Sequence, residues 1–419
     1  MAPGGNATPR CSFALAPRAC LASEVSGEQT RRVSTPPRRA LIVGAGLGGL
    51  AAALALRAAG YEVQVHERAR DARELGFALL LAPNAMWALR ELGVADEVRA
   101  RGALIVAGEI RRPSGAVLRR FDSTRVTRAL REDSVCVLRP VLHGALLAAL
   151  GPEALSLGSV VTGFRLEGGG VTLERADAPE VHGALLVGAD GVSSVIRKQL
   201  HPAEAPPRRA GLLAIRGVAR EAAGQLGELS GMQYLGRGLE AGVSRASETD
   251  VYWFLSLLAP EPPGPGVDVG TLLERHLPRF HPPFRALVAA TPEAGARLDD
   301  LRERELLRAW GQGPVTLLGD AAHAMLPHAG QGAAQALEDA VILGRALRGG
   351  APVDAALRSY EAARIPRTRA IVALARRNAR MTAIRSSAGC WLRDTLVRLL
   401  PERLLLESSI AIGRPPVTP

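Results

Sequence analysis

The chain has 419 residues, 47% apolar and 22% charged, a globular composition too long for one simple core. The net charge is +11, but no lysine-rich block or aromatic-interleaved basic stripe argues for nucleic acid, and an arginine-rich chain that must hold anionic cofactors accounts for the balance. The four cysteines, Cys11, Cys20, Cys136 and Cys390, have no Cys-x-x-Cys or metal spacing, so no structural zinc is expected, and reduced thiols in the cytoplasm are.

Residues 1–36 hold prolines, arginines and only two acids, Glu24 and Glu28, without the pattern of a secretory signal. They read as a disordered N-terminal extension, with an upstream start codon or a transit peptide as alternatives, and folding is expected from Pro37. Ala40–Val43 is a short apolar run, read as a buried strand, that stops at Gly44, Gly46 and Gly49. An Ala/Leu-rich helix follows to about Ala59, Gly60 ends it, and a second strand, Glu62–His66, closes on Glu67. In this spacing Gly44 allows the tight turn, Gly46 lets a pyrophosphate approach the backbone, and Gly49 brings helix and strand together. The helix N-terminus offers unpaired N–H groups to a diphosphate. Glu67, eighteen residues past Gly49, stands where a carboxylate grips an adenosine ribose. A transmembrane reading of Ala40–Leu56 fails, because it is 17 residues long and holds four glycines.

Next come Arg73, Gly76-Phe77 and the run Leu79–Asn84, then a helix from Asn84 to Leu92. Residues 103–121 alternate as strands around a turn at Pro113-Ser114-Gly115. Val137-Leu138-Arg139-Pro140 leads into an apolar helix ending at Leu150, and Val160–Leu166 with Val171–Glu174 reads as a hairpin. Ala184–Gly188 is a buried strand running into Asp190-Gly191 and a helix opening near Ser193, Ser194 and Arg197. A carboxylate at such a turn serves equally as a helix cap or as a grip on a ligand hydroxyl.

From Leu212 to about Leu258 the pattern changes to short strands broken by glycines, an antiparallel sheet inserted between two halves of the first domain. Tyr252-Trp253-Phe254 must alternate between core and pocket. Pro314–Leu343 is the third informative stretch: a buried strand ending at Gly319-Asp320, a loop with Pro327, Gly330 and Gly332, then a long helix whose N-terminus can stabilise an anion. His323 reads as a packed loop residue and His328 as the histidine better placed to face substrate. Helices from Asp354 to Arg380 and from Leu392 to Ile412 finish the chain, the last interrupted by Pro401 and apolar enough to touch a membrane or another subunit, though packing on its own domain is the plainer reading.

Together these stretches resemble the single-component FAD-dependent aromatic monooxygenases, the hydroxybenzoate hydroxylase superfamily, nearer its salicylate-hydroxylase-like and zeaxanthin-epoxidase-like members. The resemblance covers about residues 38–380 and rests on Gly44, Gly46, Gly49 and Glu67; on Asp190, Gly191, Ser194 and Arg197; and on Gly319 and Asp320. It implies an α/β fold: a Rossmann-like FAD-binding domain (37–205 and 295–380), an inserted antiparallel-sheet substrate domain (206–294) and a C-terminal helical segment (381–419). By the same resemblance Asp320 holds the ribityl chain, Arg139 touches the flavin diphosphate, and Arg73 lies near the cofactor. The loop Pro327–Gly332, with Gly330, Gln331 and Gly332, faces the flavin pyrimidine ring, and the Pro327 carbonyl is available to guide the oxidant. Family members carry a tryptophan on the strand beginning at Leu212, where this chain has Ile215-Arg216-Gly217.

The implied reaction uses bound FAD, transient NADPH or NADH, and O2: a C4a-hydroperoxyflavin passes one oxygen to an aromatic or other electron-rich small molecule, in the setting of secondary metabolism. No metal is required. The chain shows no second Gly-x-Gly-x-x-Gly unit for a separate nicotinamide domain. Alternatives within the fold are an epoxidase of an isoprenoid or polyketide and a same-fold FAD reductase. A tryptophan-type halogenase would show Trp-x-Trp-x-Ile-Pro, which is missing. A flavin-free binding protein that kept the fold is the rival of another class. The expected partners are a hydrophobic small molecule and O2, with peripheral membrane contact open and a monomer or homodimer equally compatible.

Overall fold

Five short apolar strands pair in parallel in the order Val315–Leu317, Leu185–Gly188, Arg39–Val43, Glu62–Glu67, Leu155–Leu157. All but the outer two strands on the Glu62 side are wholly or nearly buried, which is why they read as unbroken apolar runs rather than alternating ones. In this computed structural model the described residues are Met1, 38–71, 76–262, 264, 266–292 and 295–416. Residues 37–419 form one unit. The expected extension at 1–36, apart from Met1, and the expected contact from Arg73 lie outside the described residues.

The helix Leu47–Ala58 packs on this sheet and against the long helix Gly332–Arg348. Small residues let the two helices come close: a Cβ at Gly344 would fall 2.8 Å from that of Ala55. The predicted hairpin is present as Val161–Glu167 with Gly170–Arg175.

The second large element is a seven-stranded sheet with its own apolar core on one face. Arg208–Ala219, Gly231–Leu235, Leu239–Arg245 and Val251–Leu258 supply its centre. It draws on more of the chain than 206–294. Ala296–Glu303 closes one edge, and Ala107–Arg111 with Val117–Asp122 closes the other through a parallel pairing of Ala107–Arg111 with Gly231–Leu235. Such pairing spans over a hundred residues, and no local pattern announces it. Side chains alternate across the sheet as expected: Trp253 is fully buried in the core while Tyr252 and Phe254 point to the opposite face.

At the C-terminus the helices are Val353–Thr382, Ser387–Leu399 and Glu402–Gly413, so Pro401 separates two helices rather than bending one.

Candidate functional site

The three glycine turns separated in sequence meet along one cleft. Gly46, Leu47 and Gly48 line it from the first turn, Ala189 and Gly191 from the second, Gly319 and Asp320 from the third. Its volume of about 670 Å³ lies in the range of small-molecule clefts.

The glycines of the first turn divide their tasks as geometry demands. A Cβ at Gly49 would fall 1.9 Å from the carbonyl oxygen of Gly44, and one at Gly44 would fall 2.5 Å from that of Ala189. Gly44 also has φ +104°, where side chains are strained. A Cβ at Gly46 meets nothing within 4 Å, so that position faces open cleft. No side chain caps the helix that starts there. Its first N–H groups therefore remain for an anion.

Glu67 braces the same turn. Its Oε2 accepts the Ala45 N–H at 2.9 Å, and Oε1 accepts the Ala69 N–H at 2.9 Å. Each oxygen keeps a lone pair. The Ala45 carbonyl is held from behind by His143 Nε2 at 2.8 Å, a contact that nothing in the sequence signals.

Asp190 Oδ2 accepts the Val195 N–H at 2.7 Å, which is the capping role; Oδ1 is buried and has no hydrogen-bond partner among the described residues. Burial pushes the Asp190 carboxyl up, opposed by its hydrogen bonds. A buried carboxylate oxygen left without a donor between two cleft-lining residues suits a ligand hydroxyl. Thus the cap and the ligand grip, left as alternatives by the sequence, are compatible in one side chain. Arg197, from the same motif, points away from the cleft. It is fully buried and donates to the carbonyls of Ala321, Ala322 and Glu305 at 2.9, 3.0 and 2.8 Å, tying the second turn to the third.

At the third turn Gly319 has φ +62° and Asp320 begins a four-residue helix, Asp320–His323, not expected from sequence. Asp320 is exposed to the cleft. Behind it lies a buried polar network. Asp339 Oδ2 accepts the Gly319 N–H at 3.0 Å and sits 2.6 Å from His323 Nε2. Asp339 Oδ1 accepts from Arg364 Nε at 2.6 Å. Arg364 also pairs with Glu338, which accepts from Asn84 Nδ2 at 2.6 Å. His323 is thus a packed support of the turn.

Gln331 belongs to this network too. Its side chain exchanges hydrogen bonds with Asn84 and Gln335, so only its backbone is left for a cofactor. The Pro327 carbonyl accepts the Gly330 N–H at 2.8 Å, which spends that N–H inside the turn and leaves the carbonyl a second lone pair. The uncapped first turn of Gly332–Arg348 supplies the free donors instead, and Gly332 and Ala333 line the cleft. Arg139 lines it as well, at the start of the helix Arg139–Leu150.

The cleft continues over the open face of the seven-stranded sheet. Tyr252, Phe254, Met232, Leu80 and Phe121 wall it, and His328, Ser256, Glu240 and Gln233 form a polar end. His328 Nε2 lies 3.3 Å from Ser256 Oγ, and its Nδ1 is buried without a partner. Burial lowers the His328 pKa, with Glu240 opposing. Of Ile215-Arg216-Gly217, the run on the strand where family members often carry a tryptophan, Ile215 faces the opposite core; Ala214 and Arg216 line the cleft.

Comparison with known proteins agrees with this layout. Residues 38–375 match the FAD binding domain family. The chain is 36% identical over 360 residues to the aurachin C monooxygenase/isomerase of Stigmatella aurantiaca, covering 86% of this chain and 94% of that one. It is 30% identical over 353 residues to an FAD-dependent urate hydroxylase of Klebsiella pneumoniae, covering 82% and 90%. Among solved structures, Klebsiella pneumoniae HpxO complexed with FAD and uric acid superposes with a TM-score of 0.84 at 27% identity, over 90% of this chain and 96% of that one. The open position at Gly46, the unpartnered Asp190 oxygen and the exposed Asp320 fit such a cofactor, and the chain belongs to the FAD-dependent aromatic monooxygenases.

Proposed function

We propose that the cleft holds FAD from end to end, its adenosine ribose at Glu67, its diphosphate at the turn of Gly44, Gly46 and Gly49 and near Arg139, and its ribityl chain at Asp320, and that the enzyme hydroxylates an aromatic ring using NAD(P)H and O2. Reduced by the nicotinamide, FAD supplies the activation of dioxygen that no side chain offers. The observation that carries this reading is the continuity of the cleft: the turns that suit a dinucleotide open directly onto a chamber walled by Tyr252 and Phe254.

The protein's own part is to bind, orient and exclude water. The apolar walls sandwich a flat ring. His328, kept neutral by burial, accepts a proton or hydrogen bond from a ring hydroxyl or N–H, with Ser256 orienting it. The uncapped N–H groups at Gly332 stabilise negative charge on the cofactor. The relatives named for aurachin C and urate support a cyclic, electron-rich substrate.

The test is a screen of aromatic compounds for accelerated NAD(P)H oxidation, with product mass. One gained oxygen atom in a coupled product supports the reading. If no tested compound accelerates oxidation or gains oxygen in the yellow enzyme, the reading fails. His328→Asn should lower kcat about a hundredfold with flavin retained.

A further inference from the structure

The helix Ser387–Leu399 is mounted inside out. The side turned to the protein is polar: Arg393 donates to the carbonyls of Gly236 and Leu235 at 2.8 and 3.1 Å, and Asp394 accepts from Arg112 at 2.6 Å. Arg119 reaches across to the Val397 carbonyl at 3.1 Å. The side turned outward is apolar. Trp391, Leu392, Leu396 and Leu399 are 64%, 53%, 54% and 74% exposed, and helical spacing gathers them into one stripe. A stripe of this kind on a soluble surface marks an interaction site.

The surrounding charge says which partner fits. Arg398 lies on the helix itself and Arg385 two residues before it; both are exposed, and neither forms an ion pair among the described residues. The neighbouring acids are already engaged, Asp394 by Arg112 and Arg393, Glu402 by Arg125. A symmetric contact between two copies would set arginine against arginine, on chains already carrying +11. An anionic lipid surface supplies the opposite charge and an apolar layer for the stripe. Thirteen residues are too few to cross a bilayer, and among the described residues no helix is long and apolar enough to do so.

The position is also telling. Phe121, which lines the cleft, shares a strand face with Arg119, which grips the end of this helix. At the other end, Thr382 donates to Glu240 in the polar wall of the cleft, and the Gly238 N–H donates to the Ile384 carbonyl at 2.8 Å. The helix and the segment leading into it are thus fastened to strands whose residues line the cleft.

We propose that Ser387–Leu399 docks the enzyme peripherally on anionic lipid, presenting the cleft to apolar substrate held in or on that surface. Trp391 gives a direct readout, because Trp87, Trp253 and Trp310 are at most 8% exposed. The full-length, FAD-loaded protein is mixed with vesicles of phosphatidylcholine alone or mixed equally with phosphatidylglycerol. The expected result is co-sedimentation and a blue-shifted tryptophan emission with the anionic vesicles, reversed by salt, and at least about tenfold weaker partition with the neutral ones. Leu392→Ser with Leu396→Ser should weaken partition about tenfold or more, with flavin content and melting unchanged. Arg385→Gln and Arg398→Gln should each cost about fivefold. No shift with anionic vesicles, or equal partition by the double serine variant, overturns the proposal. So does a concentration-dependent dimer abolished by the same two serines, which would assign the face to a second copy.

Discussion

On the nucleotide side of the cleft the obstacle is backbone: a Cβ at Gly49 would fall 1.9 Å from the Gly44 carbonyl oxygen, and one at Gly44 would fall 2.5 Å from that of Ala189. On the sheet side the obstacle is a side chain. A Cβ at Gly108 would fall 2.2 Å from the Phe121 ring, one at Gly242 would fall 2.4 Å from Phe254, and one at Gly217 would fall 2.6 Å from Trp253. In the first region glycine lets backbone meet backbone. In the second it makes room for an aromatic ring from a neighbouring strand, and the strand register decides which ring. One side holds an invariant chemical object, a dinucleotide; the other is a surface whose shape changes with a single side chain, which is how one scaffold serves different substrates.

Four substitutions separate these regimes, from the largest effect to the smallest. Arg364→Met removes the buried cation shared by Asp339 and Glu338, leaving them only His323 and Arg367, and should destabilise by about 3–5 kcal/mol, read by urea unfolding. The same network carries an acid transition. Burial by itself raises the Asp339 pKa, but His323 and Arg364 hold the carboxyl at about 2, below the unfolded 3.8. Its contribution to stability is therefore present above about pH 4 and lost as pH falls toward 2. Gly49→Ala forces the helix off the strand and should cost about 3 kcal/mol, with flavin lost as a consequence. Gly242→Ala should cost about 1–3 kcal/mol and push Phe254 into the cleft, changing KM for the aromatic substrate more than flavin content. If it instead released flavin, the two regions would not be separable.

His66→Gln is the gentlest. Burial, aided by Arg175, lowers the His66 pKa to about 4. Between pH 6.5 and 4 the unfolded chain takes up a proton that the folded chain refuses, so stability falls as pH drops through that window and then levels. The glutamine variant should flatten that part of the urea midpoint against pH.

The legibility of the site follows the same division. Gly44, Gly46, Gly49, Asp190 and Gly319 stand out in sequence because each marks a strand–turn–helix junction. Asp339, Glu338, Asn84 and Arg364 could not: on their helices they read as ordinary polar positions, and only tertiary packing shows that they are buried and hold the Gly319 turn. Gln331 was found as a loop residue, but the direction of its amide side chain depends on Asn84, far along the chain. The large sheet was legible through its alternation at Tyr252–Phe254 and the turn at Pro113-Ser114-Gly115, while the parallel pairing of Ala107–Arg111 with Gly231–Leu235, which joins that hairpin to the sheet, is not encoded locally.

The central claim is that one dinucleotide lies across these turns, and Gly46 tests it most directly. Its backbone is extended, at φ −70° and ψ 178°, and nothing stands within 4 Å of an added Cβ, so valine is tolerated by the fold and fills only the space assigned to the diphosphate. The measurement is flavin per polypeptide in wild type and Gly46→Val, alongside circular dichroism. The account predicts one FAD per wild-type chain and a variant that keeps its fold but binds FAD roughly a hundredfold more weakly. A folded Gly46→Val protein that retains its full flavin complement would contradict it.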